Sequence, residues 1–257
     1  MKKKIEKELL IVIPMAGMGK AFVEAGYAFP KPLVDIEGKT MIEFVINNVK
    51  PSIPHKFIFV VLKEQYDKFD FYNIFKNATN NSFEVVTVGN STQGAAITAL
   101  SAIQHIDCDN EVLLANADQF LECKIEDFIK EARKKKVDGY IMTFNSSHPR
   151  WSYVRTDEKG HVIEAAEKKV ISNHATVGLY YYKSGKMLVS ALKSMVKKNI
   201  THNNEFYICP AFNEIILQGG NVGIFEIPEK QMYGMGTPEE LVLFQKALSE
   251  KKITLKK

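Results

Sequence analysis

The stretch Leu9-Leu-Ile-Val-Ile-Pro-Met-Ala-Gly-Met-Gly-Lys20 decides how this chain is read. An unbroken apolar run, Leu9 to Ile13, stops at Pro14 and passes straight into a turn of small residues and glycines. A strand apolar at every position, not at every second one, is buried on both faces. That pattern belongs to a parallel sheet covered by helices. The rhythm repeats downstream. Phe57 to Leu62, Phe83 to Val88, Glu111 to Ala115 and Tyr140 to Phe144 read as further buried strands. Helical patterns stand between them: Thr40 to Val49, with Met41, Phe44, Val45 and Asn48 on one face; Gly94 to Gln104, rich in small residues; and Ile125 to Lys136, amphipathic with a basic end that suits the helix dipole.

The pattern changes after about Pro149. Short strand-like pieces follow at Trp151 to Thr156, His161 to Ala165 and Val177 to Tyr182. Helical patterns cover Gly185 to Asn199 and Phe206 to Gln218, and a last strand spans Val222 to Ile227. Thr237, Pro238 and Glu240 then give a helix start: a capping hydroxyl, a proline at the first position and an acid at the third. The expected architecture is α/β, a mostly parallel, Rossmann-like doubly wound sheet with a C-terminal elaboration on the substrate side. It is expected as one domain over 1–257, in two halves, 8–148 and 149–257. In such sheets ligands bind beyond the carboxyl ends of the strands.

Composition sets the outer bounds. The chain has 257 residues, 46% apolar and 25% charged, enough to bury a large core without disulfides. The net charge is +4, and much of the excess lies in Lys2-Lys3-Lys4 and in Lys251, Lys252, Lys256 and Lys257. These read as solvated ends, and the near-neutral body argues against nucleic-acid binding. The three cysteines, Cys108, Cys123 and Cys209, form no Cys-x-x-Cys pair, so no zinc site or disulfide framework is indicated and a reducing compartment fits. The apolar run at Leu9 is too short for a signal peptide, and no stretch reaches the length of a membrane span. A cytoplasmic location is expected, with no membrane partner; a homo-oligomer stays open.

Four segments carry candidate chemistry, each just after a strand. Pro14 to Phe22 contains Ala16, Gly17, Met18, Gly19 and Lys20. Its glycines let backbone amides approach phosphate oxygens, although a plain strand-to-helix turn has the same composition. It lacks the Gly-Lys-Ser/Thr ending of a P-loop. Lys31 stands between Pro30 and Pro32, which restrict the backbone and hold a lysine head in place for an anion; a solvated surface lysine is the bland reading. Gly89 to Ile97 places Gln93 and Gly94 before a helix start, suited to a base edge and a close approach, or simply to a cap. Asn116-Ala-Asp118 ends the fourth strand. Asp118 can hold Mg2+, a hard cation that keeps waters and substrate phosphates around it, or can cap a helix.

Taken together and in order, these segments resemble the sugar-phosphate nucleotidyltransferases: a glycine-rich signature, a Pro-Lys-Pro signature, a base-binding Gly-Ala segment and a metal-binding Asp. The resemblance continues through Ala166-Glu-Lys-Lys169, Asn173 to Tyr182, Asn204-Glu-Phe-Tyr207 and Gly236-Thr-Pro-Glu-Glu-Leu241, and so covers nearly the whole chain. It implies a fold of nucleotidyltransferase or GT-A-like type, with 8–148 as the nucleotide-binding half and 149–257 as the acceptor-binding half. It also implies an enzyme that joins an NTP to a sugar 1-phosphate or related phosphorylated acceptor, releasing pyrophosphate with Mg2+, in the synthesis of surface polysaccharide precursors. The implied roles are catalysis for Lys31 and Asp118 and metal binding for Asp118. Ala16, Gly17, Met18, Gly19, Lys20, Gln93 and Gly94 would bind the nucleotide. Asn116, Glu167, Lys168, Gly178 and Glu205 would bind the acceptor. Two positions depart from the pattern: Lys20-Ala21 stands where the family has Ser/Thr-Arg, and Gly234 where many members have a second metal-binding Asp. Lysine supplies charge but not the bidentate guanidinium fork. A non-catalytic nucleotide-sugar binder and a glycosyltransferase remain as alternatives.

Overall fold

A computed structural model describes residues 8–251 and 253. The tail lysines 2–4, 252, 256 and 257 lie outside the described residues. The strands are β1 (Leu9–Pro14), β2 (Asp35–Ile36), β3 (Lys39–Thr40), β4 (His55–Leu62), β5 (Phe83–Val88), β6 (Val112–Ala115), β7 (Gln119–Leu121), β8 (Gly139–Asn145), β9 (Tyr153–Thr156), β10 (Val162–Ala166), β11 (His174–Tyr182), β12 (Val222–Glu226) and β13 (Met232–Gly234). The helices are α1 (Lys20–Glu24), α2 (Met41–Val49), α3 (Lys63–Lys68), α4 (Phe71–Thr79), α5 (Ala95–Leu100), α6 (Ile103–Ile106), α7 (Ile125–Lys135), α8 (Gly185–Lys197), α9 (Phe212–Leu217) and α10 (Pro238–Ser249). None of the described helices is long and apolar enough to cross a membrane.

One nine-stranded sheet runs β10-β9-β11-β6-β1-β4-β5, with β8 and β12 branching from β11. β1 pairs in parallel with β4 and β6, and β4 with β5. β11 joins antiparallel to β6, β8 and β9 and so carries the C-terminal half on the same sheet. The chain moves outward from β1 to β4 and β5, then returns to place β6 on β1's other side. That reversal is a topological switch point, and it opens a crevice beyond the ends of β1 and β6. The glycine-rich turn and Asn116-Ala-Asp118 both leave the sheet there.

The all-apolar strands fill two cores. Leu9, Ile11 and Ile13 face one, with α2, α4, α7 and α10 over them; Leu10 and Val12 face the other, with α5, α6, α8 and α9. α2 starts on a capping box between Thr40 and Glu43, and α10 on one between Thr237 and Glu240.

Several expectations need amendment. Gly94 to Gln104 is not one helix. It breaks between α5 and α6, where Thr98 and Ser101 bond their hydroxyls back to the Gly94 and Ile97 carbonyls at 3.1 Å. The expected helix over Phe206 to Gln218 begins later, in a 3-10 turn at Cys209–Ala211 followed by α9. The reason is that Phe206 is bonded to another segment, its N–H donating to the Gln93 carbonyl at 2.8 Å. The helices α3 and α4 and the ribbons β2–β3 and β7–β13 were not anticipated, although α4 carries Phe71, Ile74, Phe75 and Ala78 at helical spacing and turns them to the core.

Candidate active site

Two cavities open at the switch point. The first, of about 280 Å³, is lined by Pro14, Gly17, Gly19, Lys31 and Pro32 from the N-terminal turns. The second, of about 230 Å³, is lined by Arg150, Trp151, Ser152, Glu167, Lys168, Gly178 and Glu240 from the C-terminal half. Ala95, Asn116, Asp118 and Tyr207 line both, so the two spaces meet at Asp118.

The Lys31 ammonium donates to Asp118 Oδ2 and, at 3.2 Å, to the Gly236 carbonyl. The two side chains come from segments 87 positions apart. The 3-10 turn Lys31–Leu33 holds Lys31 between its prolines. Gly19 is left-handed, with φ of 62°, and a Cβ there would stand 3.0 Å from Lys31 Cβ. The glycine turn and the Pro-Lys-Pro segment therefore pack directly on each other.

On the acceptor-named side, Lys168 reaches Tyr207 Oη at 3.1 Å, and Tyr207 donates to Glu205 Oε2 at 2.9 Å. Lys168 itself is left-handed, φ 49°, a strained backbone for a residue with a side chain. Glu167 accepts from the Ser152 hydroxyl; burial pushes its carboxyl up from the ordinary range, against the pull of that hydroxyl and of Lys168. Gly178 is left-handed, φ 81°, and a Cβ would come within 2.1 Å of Asn116 Nδ2. Thus Asn116, Glu167, Lys168 and Gly178 share one cavity, while the exposed Glu205 touches it only through Tyr207.

The nucleotide-named set is less gathered. Gly17 and Gly19 line the first cavity; Ala16 is buried beneath it, and Met18 and Lys20 are exposed. Gln93 is exposed. Gly94, φ 96°, gives close approach to the protein's own backbone: a Cβ would lie 2.5 Å from the Phe206 carbonyl oxygen. This binds Gln93-Gly94 to the Asn204 to Tyr207 segment.

The departures also have a structural setting. Ala21 is exposed on α1. Beside Gly234 sits the Glu240 carboxylate, 2.9 Å from where a Cβ would be. Glu240 also pairs with Arg150 at 2.6 Å, and that guanidinium lies 4.0 Å over the Trp151 ring. Gln119, Arg150, Trp151, Ser152, Tyr207 and Glu240 are cavity-lining residues the sequence did not single out for chemistry. Two of them carried a signal: Tyr207 as the end of the Asn204-Glu-Phe-Tyr207 segment, and Glu240 at the third position of α10, where it reads as a cap.

Fold and site geometry define an α/β protein with a paired cation and carboxylate at the junction of two cavities. Residues 11–225 match the nucleotidyl transferase family, and the chain belongs to it. Among solved structures, the chain is similar to a nucleoside-diphosphate-sugar pyrophosphorylase from Vibrio cholerae RC9, with 27% identity, a TM-score of 0.78, and coverage of 92% of this chain and 99% of that one. A putative glucose-1-phosphate thymidylyltransferase from Bacillus anthracis shares the fold at 17% identity, TM-score 0.75, over 97% of each chain. The bifunctional protein GlmU of Lactobacillus gasseri is 24% identical over 226 residues, 85% of this chain and 47% of that protein. The chain therefore spans about half the length of that curated relative.

Proposed function

We propose that this chain catalyses Mg2+-dependent nucleotidyl transfer from an NTP to a sugar 1-phosphate or a related phosphorylated acceptor, as a step toward surface polysaccharide precursors. The supporting observation is the junction of two cavities at Asp118, with Lys31 bound to it. The first cavity suits the triphosphate, beside the Gly17 and Gly19 backbone; the second suits the acceptor, beside Lys168. An acceptor phosphate oxygen attacks the α-phosphorus and pyrophosphate leaves in line. The attacking group is already ionised at neutral pH, so the task is positioning and charge neutralisation, not proton removal.

Lys31 faces the shared wall and neutralises charge on the α-phosphate and leaving group. Lys168, held by Tyr207, takes the acceptor's phosphate. Asn116, Glu167 and Gly178 shape the space for the rest of the acceptor, with Glu205 orienting Tyr207. Gln93 and Gly94 flank the base, and Lys20 adds charge near the triphosphate. Asp118 would hold Mg2+. Its carboxylate is 29% exposed at the junction, which suits a cation that binds through one or two carboxylates and completes its shell with water and phosphates. When bound, Mg2+ acts as a template and a Lewis acid.

The test is thermal unfolding with Mg2+ and each of CTP, UTP, dTTP, GTP and ATP, followed by a pyrophosphate-release screen over phosphorylated acceptors. A ligand at one hundred times its dissociation constant stabilises by about 2.7 kcal/mol. A shift with one nucleotide and pyrophosphate release with an acceptor are expected. Nucleotide binding without release over a broad acceptor panel would move the reading to a binding protein, the outcome that Ala21 and Gly234 motivate.

A further inference from the structure

The second cavity contains a polar group that the roles above leave unused. Gln119 is 2% exposed and lines this cavity. Its Nε2 has no hydrogen-bond partner among the described residues. His55, Thr143 and Tyr182 each carry a buried polar atom in the same condition, but none of those residues lines either cavity. A buried donor without an acceptor loses its hydration and gains nothing in return, so native proteins rarely leave one unmatched. Here the unmatched donor belongs to a residue on a ligand-sized space.

The amide is held in place. Gln119 opens β7, opposite Gly234 of β13. Its Oε1 lies against the left-handed Gly178, where a Cβ would come within 2.8 Å of it. The Asn116 N–H fixes that turn by donating to the Gly178 carbonyl at 3.0 Å. Oε1 packs at Gly178, and Nε2, itself buried, is the end of the amide left without a partner among the described residues. The same cavity holds the Glu167 carboxyl group, an acceptor whose Oε2 is engaged by Ser152. A donor and an acceptor in one space match a hydroxylated ligand, whose oxygens accept and whose O–H groups donate. An alkylammonium head offers no acceptor and would leave the Gln119 donor unmet.

We propose that Gln119 sets acceptor specificity by donating Nε2–H to an oxygen of a polyhydroxylated acceptor phosphate. This rests on the nucleotidyl-transfer reading and assigns the residue that selects its acceptor class. The role resembles that of sites that reject an analogue lacking one hydroxyl because a buried partner is then left unpaired.

The experiment compares the full chain with Gln119→Met, which keeps length and removes the donor. Both are titrated with glucose, galactose and mannose 1-phosphates, their monodeoxy analogues and phosphocholine, in the presence of Mg2+ and a non-hydrolysable NTP analogue. Expected are three results together. Free Gln119→Met melts no lower than the native chain, since an unmet donor has been removed. It binds the preferred hexose 1-phosphate at least about tenfold more weakly, with the NTP analogue unaffected. One monodeoxy analogue loses a similar factor on the native chain and nothing further on the variant. A melting temperature that falls, or a variant that does not fold, would make the amide a structural prop and overturn the proposal. Equal hexose 1-phosphate binding by both chains would overturn the Gln119 assignment alone. Binding of phosphocholine in preference to every hexose 1-phosphate, or of no compound in the panel, would overturn the acceptor class of the proposed function with it.

Discussion

Glu240 holds Arg150 across the mouth of the second cavity. One carboxylate oxygen takes the guanidinium at 2.6 Å, and the other accepts the Gly236 and Thr237 amides at 2.8 and 3.2 Å. A single side chain thus caps α10 and ties it to the β8–β9 connection. Glu240→Ala removes both functions and should lower stability by about 1–2 kcal/mol, the scale of a lost cap plus a partly exposed pair. Glu240→Gln keeps an acceptor for the amides and should cost less. Urea unfolding of the two variants checks the order; equal losses would separate the cap from the Arg150 contact.

Gly234 is required by Glu240, not by its own backbone. A Cβ there would meet Glu240 Oε2 at 2.9 Å, with nothing but that carboxylate among the nearest atoms. An acid placed there by Gly234→Asp should therefore destabilise by about 1–3 kcal/mol through crowding. The penalty should shrink when Glu240→Ala is combined with it. Additive losses in the double variant would show that Glu240 is not the obstacle.

Lys31 and Asp118 are mutual partners, so each substitution also strips the other. Lys31→Ala and Asp118→Ala should each reduce turnover by roughly 10²-fold or more, the scale of losing a placed electrostatic group. Near-normal turnover by either folded variant, measured as pyrophosphate release, would remove that residue from the mechanism.

Glu167 should make the protein less stable as pH rises. Burial raises its carboxyl above the ordinary value of 4.5, so the native state holds its proton where the unfolded state has released it. Stability is fully retained below the unfolded value and is lost as pH climbs through the raised native value. Glu167→Gln cannot ionise and still accepts from Ser152. Its stability relative to the native chain should therefore increase from pH 4 to pH 8 in denaturant titrations. A difference independent of pH would mean that burial does not raise the Glu167 carboxyl.

Legibility follows from how local each signal is. The strands around Ile13, Val60 and Leu114 were readable because burial on both faces makes every position apolar. The caps at Thr237 and Glu240 were readable because their partners lie within one turn. Lys31 and Asp118 were singled out by their neighbours, Pro30, Pro32 and the strand end before Asn116. Their contact was not visible, since they stand 87 positions apart in the chain. Gly94 and Gly178 were noticed as glycines, but what they make room for is the Phe206 backbone in one case and the Asn116 and Gln119 side chains in the other.

The sequence by itself determined the long buried strands, the mostly parallel α/β class and the order of the motifs, because these depend on periodicity and on near neighbours in the chain. Tertiary structure alone decided that two cavities meet at Asp118, that Glu240 stands in the space beside Gly234, and that Gln119 lines the second cavity with its buried donor unmet. Those facts depend on which strand ends the sheet brings side by side. Strand order is set by the packing of both cores at once, a property no single segment carries.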